Sequence, residues 1–410
     1  MIHIEYTLPT ILSIIPIVLG IIWRVVQISF ATLKFIGLTL IVVLGILLVT
    51  IFELDSMISF LAFAILLSGF STMLCQEEKQ QSPTICSSNM IALGLSLGVL
   101  FSQGIVSRFF LCGLLGYGTF SLNRQKQGPL RTTLTFIHFS VAVVLSLISA
   151  MGDETLQMFV GLFLAATFLP LVPFHLPFIS MLEGSKGTLS SFWVVIWLSI
   201  GLAELNIIYS SLTSGILSII SLLALVSVFY ASLAALGQQQ SNLFVAFATV
   251  GNVSLVWGLL NVFPNFPTWG VGFGLAIAFV FGGIGLVFSF VQQRYGWKII
   301  GKLPGLGEPM PRFGTAMAFL VSFALFLPFF PTISGLTIMP TIGTNDVGFI
   351  NIFFMFLAVW LLGGWYLLQV LHQTAFGRAR TDISYTDLCA TEFIAVMLFL
   401  LGATYSGLFY

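Results

Sequence analysis

Charge is what this sequence has least of. Its 410 residues carry 14 Lys and Arg, 14 Asp and Glu and 4 His, so charged residues make up 7% of the chain. An ordinary soluble domain has about 25%. A chain of this length needs a charged shell to stay in solution, and so few charges cannot form one. The formal net charge is zero, which removes the basic excess that nucleic-acid binding needs. Cysteine is scarce as well. Cys75, Cys86, Cys112 and Cys389 show neither CxxC nor Cys/His spacing, which offers no zinc knuckle and no disulfide framework. No Ser/His/Asp set, paired carboxylates or metal cluster stands out, so no catalytic, cofactor-binding or metal residue is expected in the chain. The N-terminus, Met1-Ile2-His3-Ile4-Glu5, lacks the basic n-region of a signal peptide and the Arg/Ser-rich character of a transit peptide. A chain of this kind is expected from a prokaryote or from inside an organelle.

What is there instead is hydrocarbon: 58% of residues are hydrophobic and 42 are Phe. A bilayer core of about 30 Å takes about 20 helical residues to cross. Fourteen apolar runs fit that length, near 7–24, 32–53, 57–75, 88–105, 107–123, 132–151, 155–178, 188–210, 212–236, 242–262, 268–292, 313–336, 348–371 and 389–409. None shows the alternation over about ten residues of a membrane barrel strand. The expected fold is all-α, a polytopic membrane protein of about fourteen transmembrane helices.

The basic residues check the count. Fourteen spans put both termini on one side, where the even-numbered loops hold only Arg108. The odd-numbered loops hold the other thirteen: Arg24, Lys34, Lys79, Arg124, Lys126, Arg131, Lys186, Arg294, Lys298, Lys302, Arg312, Arg378 and Arg380. By the positive-inside rule the odd loops face the cytoplasm or matrix. The basic loop 294–312 suits a soluble partner or anionic lipid headgroups such as cardiolipin.

Two runs carry paired prolines at depth. The seventh has Pro170, Pro173 and Pro177 and the twelfth has Pro328 and Pro331. Proline removes intrahelical donors and clashes with preceding carbonyls, so both spans should be discontinuous. They stand five spans apart, an odd offset that inverts one copy relative to the other. This suggests inverted five-helix repeats with broken helices 7 and 12, the pattern of a transport pathway. The corresponding organisation is 1–87 for helices 1–3, 88–210 for the first repeat, 211–371 for the second and 372–410 for the last helix.

Several motifs then fall in a familiar order. Pro173-Phe174-His175 followed by Glu183-Gly184 resembles the signature of NADH dehydrogenase subunit 2, an antiporter-like membrane subunit of respiratory complex I. Leu233 to Gln238, then Ala246 to Asn252, is similar to that family's Gly-Ala-Leu-x-Gln and Ala-Tyr-Ser-Ser-Ile-Gly-His. Lys302 to Leu306 resembles its Phe-Lys-Gly-Leu linker, Pro331 to Gly335 its Pro-Pro-Leu-Ala-Gly, and His372 to Gly377 the end of span thirteen in the sister subunits. The resemblance covers about residues 100–385. It implies a fourteen-helix fold with two broken helices, complex I membrane-arm subunits as partners, and a multi-pass place in the mitochondrial inner membrane, or alternatively a bacterial or thylakoid one. NADH, FMN, iron–sulfur clusters and quinone would sit on partner subunits.

The same resemblance shows what has been replaced. The family's midplane carboxylate, lysines and histidine fall here on Gly113, Phe168, Ser199, Asn252 and, after the twelfth-span break, Met339, and Phe279 stands where sister subunits carry histidine. None of these side chains titrates. Independently, residues 205–293 contain no Asp, Glu, Lys, Arg or His. Buried titratable groups mark ion pathways in membranes, and no side-chain relay runs through that stretch. A degenerate, mainly structural subunit is expected.

Four groups remain as possible proton-path or broken-helix remnants. His138 is either a relay remnant or, as is commoner for a lone intramembrane histidine, hydrogen-bonded to a neighbouring helix. His175 either handles protons or helps satisfy the broken helix. Glu183 and Lys186 read as a solvated pair. Glu204 is either interfacial or the mouth of a half-channel. Gly94-x-x-x-Gly98 and Gly282-Gly283-x-Gly285 read as close helix packing. The alternatives to a complex I subunit are an independent inverted-repeat transporter and an antiporter-like subunit of a hydrogenase or cation-antiporter assembly.

Overall fold

A computed structural model describes residues 4–26, 28–51, 57–76, 82–123, 129–149, 152–263, 265–329 and 346–409. The protein is all-helical, and among the described residues there is no strand beyond an isolated Gln240–Ile299 bridge. The helices are α1 (Ile4–Val25), α2 (Phe30–Ile51), α3 (Met57–Leu74), α4 (Ser82–Phe101), α5 (Gly104–Asn123), α6 (Pro129–Ser149), α7 (Glu154–Phe168), α8 (Leu176–Gly184), α9 (Leu189–Tyr209), α10 (Ser214–Leu236), α11 (Ser241–Leu259), α12 (Phe266–Tyr295), α13 (Pro311–Phe326), α14 (Asp346–Ala375) and α15 (Ala390–Phe409). Thirteen are long and apolar enough to cross a membrane. The remaining crossing is the seventh run, split as expected into α7 and α8. The twelfth run is helical as α13 and tightens into a 3-10 turn at Leu327–Phe329. The Pro331–Gly335 motif and Met339 lie outside the described residues.

The chain forms two compact units. The first comprises residues 1–168 with 176–208, the second 169–175 with 209–410. In the first unit glycines let α1 and α4 cross closely. A Cβ on Gly94 would lie 2.6 Å from the Ser13 carbonyl oxygen, and one on Gly20 2.9 Å from that of Ser87. The helix-packing reading of Gly94 and Gly98 therefore holds, Gly98 lying against the Phe110 ring. Arg24, at the end of α1, donates to Ser87, Ser88 and Tyr117 and so joins α1 to α4 and α5.

In the second unit α12 is buried along its apolar length. Gly283 faces Leu320 of α13, where a Cβ would be 2.7 Å from Cδ2. The helix stops at Gly296, whose φ of 72° belongs to the left-handed region that glycine tolerates, and whose N–H returns to Gln292 O. Asp387 accepts from the backbone N–H groups of Arg312 and Phe313 at 3.0 and 3.2 Å, capping α13 from another loop. The segment 305–307 donates its N–H groups to the carbonyls of Phe376, Thr374 and Ala375. This ties the linker after α12 to the end of α14. Gly305 makes the approach possible, since a Cβ there would sit 2.6 Å from Ala379 N.

The break in the seventh span is satisfied by side chains distant in sequence. Trp197 Nε1–H donates to Thr167 O at 2.9 Å within the first unit. Within the second, Trp257 Nε1–H donates to Leu169 O at 3.0 Å and Val172 N–H to the Ser227 hydroxyl at 3.3 Å. A carbonyl left without a donor in this environment costs about 1–3 kcal/mol. Replacing Trp257 by Phe keeps the ring but removes the donor, and is expected to destabilise the protein by about that amount. A thermal-unfolding midpoint unchanged from wild type would show that Leu169 O finds another donor.

Candidate functional site

Within the first unit, the surroundings of Phe168 are packed with aromatic rings. Phe168 is fully buried with its ring 4.9 Å from that of Trp197. Phe139, Phe178 and Trp193 surround the same indole at 6.0–6.4 Å. The helix α9 that carries Trp197 is buried over most of its length, so these rings meet one another and not lipid. Gly113 leaves little room for a side chain, a Cβ there standing 3.0 Å from Leu95 Cδ2. Ser199 is fully buried, and its hydroxyl has no hydrogen-bond partner among the described residues.

The four remnant groups all have structural surroundings. His138 Nε2 lies 2.9 Å from the Thr167 hydroxyl and its ring stacks on Phe163 at 5.1 Å, so α6 is bonded to α7. His175, in the break, stands edge-on to Tyr230 at 5.3 Å with Phe247 nearby at 6.5 Å. Glu183 does not pair with Lys186. It takes a hydrogen bond from Arg131, linking α8 to α6, while Lys186 is exposed. The reason is geometric: residues three apart share a helix face only inside a helix, and α8 ends at Gly184, between the two.

Glu204 is at the end of α9, yet it is only 3% exposed and meets Arg108 of α5 at 2.5 Å. These are the sole basic residue of the even loops and the last carboxylate before the charge-free stretch. An ion pair this buried is costly to split, because the survivor is an uncompensated charge in a low dielectric. Two other pairs are less informative. Arg294 and Glu392 join α12 to α15. Arg380 and Asp382 form an exposed pair in which the guanidinium hydrogen bond holds the Asp382 carboxyl below the usual carboxylate range.

In the second unit Asn252 lies on α11. It is buried, and its Nδ2 donates to Ala248 O at 3.0 Å and to the Tyr366 hydroxyl at 3.1 Å. Ser254 lies 2.8 Å from Ser227 on α10. Phe279 packs edge-on to Phe399 at 5.8 Å and against Gly402. No group of three or more His, Cys, Asp or Glu suited to a metal occurs among the described residues.

This arrangement has relatives. The chain is similar to a respiratory complex I subunit. It is 24% identical over 360 residues to NADH-ubiquinone oxidoreductase chain 4 of Chlamydomonas reinhardtii, covering 83% of this chain and 78% of that one. In fold it superposes on a chain of respiratory complex I from Thermus thermophilus with bound NADH, at a TM-score of 0.76 and 16% identity over 98% of this chain and 95% of that one. It also superposes on a chain of the membrane-bound sulfane sulfur reductase, an archaeal respiratory membrane complex, at a TM-score of 0.74 and 12% identity over 98% and 76%. No family model matches. The sequence relative is a chain 4, whereas the spacing from His175 to Glu183 points to subunit 2.

Sequence reasoning missed Trp197, Trp257 and Arg131 as the partners of Thr167 O, Leu169 O and Glu183. The separations of 30, 88 and 52 residues carry no local signal.

Replacing Arg108 by Ala should destabilise the protein by about 3–5 kcal/mol, because Glu204 is left buried and charged. The double replacement Arg108→Met with Glu204→Leu should recover most of that loss. Equal unfolding midpoints for the single and double variants would contradict the buried-pair account.

Proposed function

We propose that this chain is an antiporter-like membrane-arm subunit of an NADH:ubiquinone oxidoreductase, kept mainly as a structural module after its proton-channel groups were replaced. The observation that carries the reading is the aromatic filling of the aligned channel positions, Phe168 against Trp197 and Phe279 against Phe399. The 89-residue run 205–293 without an Asp, Glu, Lys, Arg or His supports it. Proton transfer at depth needs groups that exchange protons, and phenyl rings do not. The replaced set is also coherent in energy. A buried lysine without its carboxylate is an uncompensated charge, so losing one partner favours losing the other.

In this reading the chain has no active site of its own. NADH oxidation, flavin, iron–sulfur and quinone chemistry belong to partner subunits, and the other membrane-arm subunits are its neighbours. The two inverted repeats, residues 88–210 and 211–371, would be the antiporter-like scaffold. The subunit 2 assignment rests on Pro173-Phe174-His175 and Glu183-Gly184, and the chain 4 relative weighs against choosing it over its sisters. The membrane proposed is the mitochondrial inner membrane, with a bacterial or thylakoid membrane compatible with the same topology. The likeness to the sulfane sulfur reductase complex favours a second reading, a subunit of a related respiratory membrane complex. Co-purification separates the two, since only the first should bring down NADH-oxidising activity.

The purified complex, reconstituted into sealed vesicles, should move fewer protons per electron pair than a homologous complex whose antiporter-like subunits all keep their midplane lysines and carboxylates. The ratio is read from pH-dye and NADH absorbance traces. An undiminished stoichiometry would overturn the loss of pumping.

A further inference from the structure

The second unit ends on one side in a platform made from two loops. Residues 296–310 follow α12 and residues 376–389 follow α14, and the backbone bonds from 305–307 to Thr374, Ala375 and Phe376 hold them together. Both loops join the ends of apolar helices, so the platform stands where hydrocarbon gives way to water. Trp297 is its centre. The Lys302 ammonium lies 4.7 Å from the indole centroid and the Arg380 guanidinium 6.0 Å. Exposed Ile299 and Phe376, 41% and 59% accessible, add an apolar shelf to the same two loops.

The charges of this platform do not cancel. Two of its three carboxylates are engaged, Asp382 with Arg380 and Asp387 with the backbone at the start of α13, and Glu392 beside it on α15 is held by Arg294 and the Cys389 N–H. Lys298, Lys302 and Arg378 are exposed, and none has a carboxylate partner among the described residues. The remaining carboxylate, Glu308, is exposed and likewise without one. Uncommitted cations around an interfacial tryptophan and an apolar shelf match a negatively charged headgroup whose acyl chains continue into the membrane.

We propose that Trp297, Lys298, Lys302 and Arg378 form a docking surface for the headgroup of an anionic phospholipid. The phosphate meets the cations, and Trp297, Ile299 and Phe376 meet the glycerol and upper acyl region. A soluble acidic protein would satisfy the cations, but it would have no use for an apolar shelf open at the membrane boundary. The surface is independent of the proton-path reading.

The test uses the full chain in bilayers of phosphatidylcholine containing a minor fraction of shallow-brominated lipid, either phosphatidylglycerol or phosphatidylcholine. Trp297 emission is isolated by difference from Trp297→Phe. Brominated phosphatidylglycerol should quench it more strongly than brominated phosphatidylcholine. The preference should fall by about fivefold for each cation neutralised at low salt, vanishing in Lys298→Gln/Lys302→Gln/Arg378→Gln. Equal quenching by the two lipids, or a preference that survives the triple variant, overturns the proposal. A photo-crosslinking residue at position 299 in native membranes supplies the second arm. Lipid adducts support the surface, and adducts to a protein alone would assign it to a protein partner instead.

Discussion

A backbone interrupted inside hydrocarbon must find hydrogen-bond partners from its own protein, because the bilayer offers none. The seven residues between α7 and α8 impose that demand here, and much of the interior is arranged around meeting it. Trp197 reaches Thr167 O, Trp257 reaches Leu169 O and Ser227 takes the Val172 N–H. Trp197 and Trp257 lie on largely buried helices, and Ser227 is itself buried. The indoles bring their bulk with them, and aromatic neighbours close around it. Phe139, Phe168, Phe178 and Trp193 gather about Trp197, so the groups that satisfy the break also fill the space beside it.

The few charges follow the same logic. Arg108 with Glu204, Arg131 with Glu183 and Arg294 with Glu392 each join two helices that are remote in sequence. Arg24 does the same with hydroxyl groups. Charges that are costly in a membrane persist where they are paired, and the long stretch 205–293 has none to pair. Asn252 shows the neutral alternative. Its buried Nδ2 donates to the Tyr366 hydroxyl with no ionised group involved.

The all-helical fold was legible in the sequence because bilayer thickness translates directly into run length and proline directly into a break. Fourteen runs became thirteen long helices and one split crossing for those reasons. The glycine spacings at Gly94 and Gly283 were legible too, since close approach has a compositional cost that only small residues avoid. Partner choice was not. Glu183 turned from Lys186, three residues away, to Arg131 because α8 ends before Lys186. Glu204 stayed open between an interfacial place and a half-channel mouth, because sequence gives its depth along α9 but not its cover by Arg108, which depends on tertiary packing. The tryptophans that serve the break read as ordinary apolar residues. Nothing local marks an indole N–H as the donor for a carbonyl 88 positions away.

This bears on what a broken helix means. Straightening the seventh span would require Pro170, Pro173 and Pro177 to accept helical surroundings they cannot, and would take from Trp197 and Trp257 the carbonyls they now serve. The break is therefore held by packing and hydrogen bonding alone, whether or not anything crosses the membrane there. A chain that stopped moving protons would have no energetic route back to a continuous helix short of replacing prolines and tryptophans together. Transport has to be argued from titratable groups at depth, and residues 205–293 carry no Asp, Glu, Lys, Arg or His.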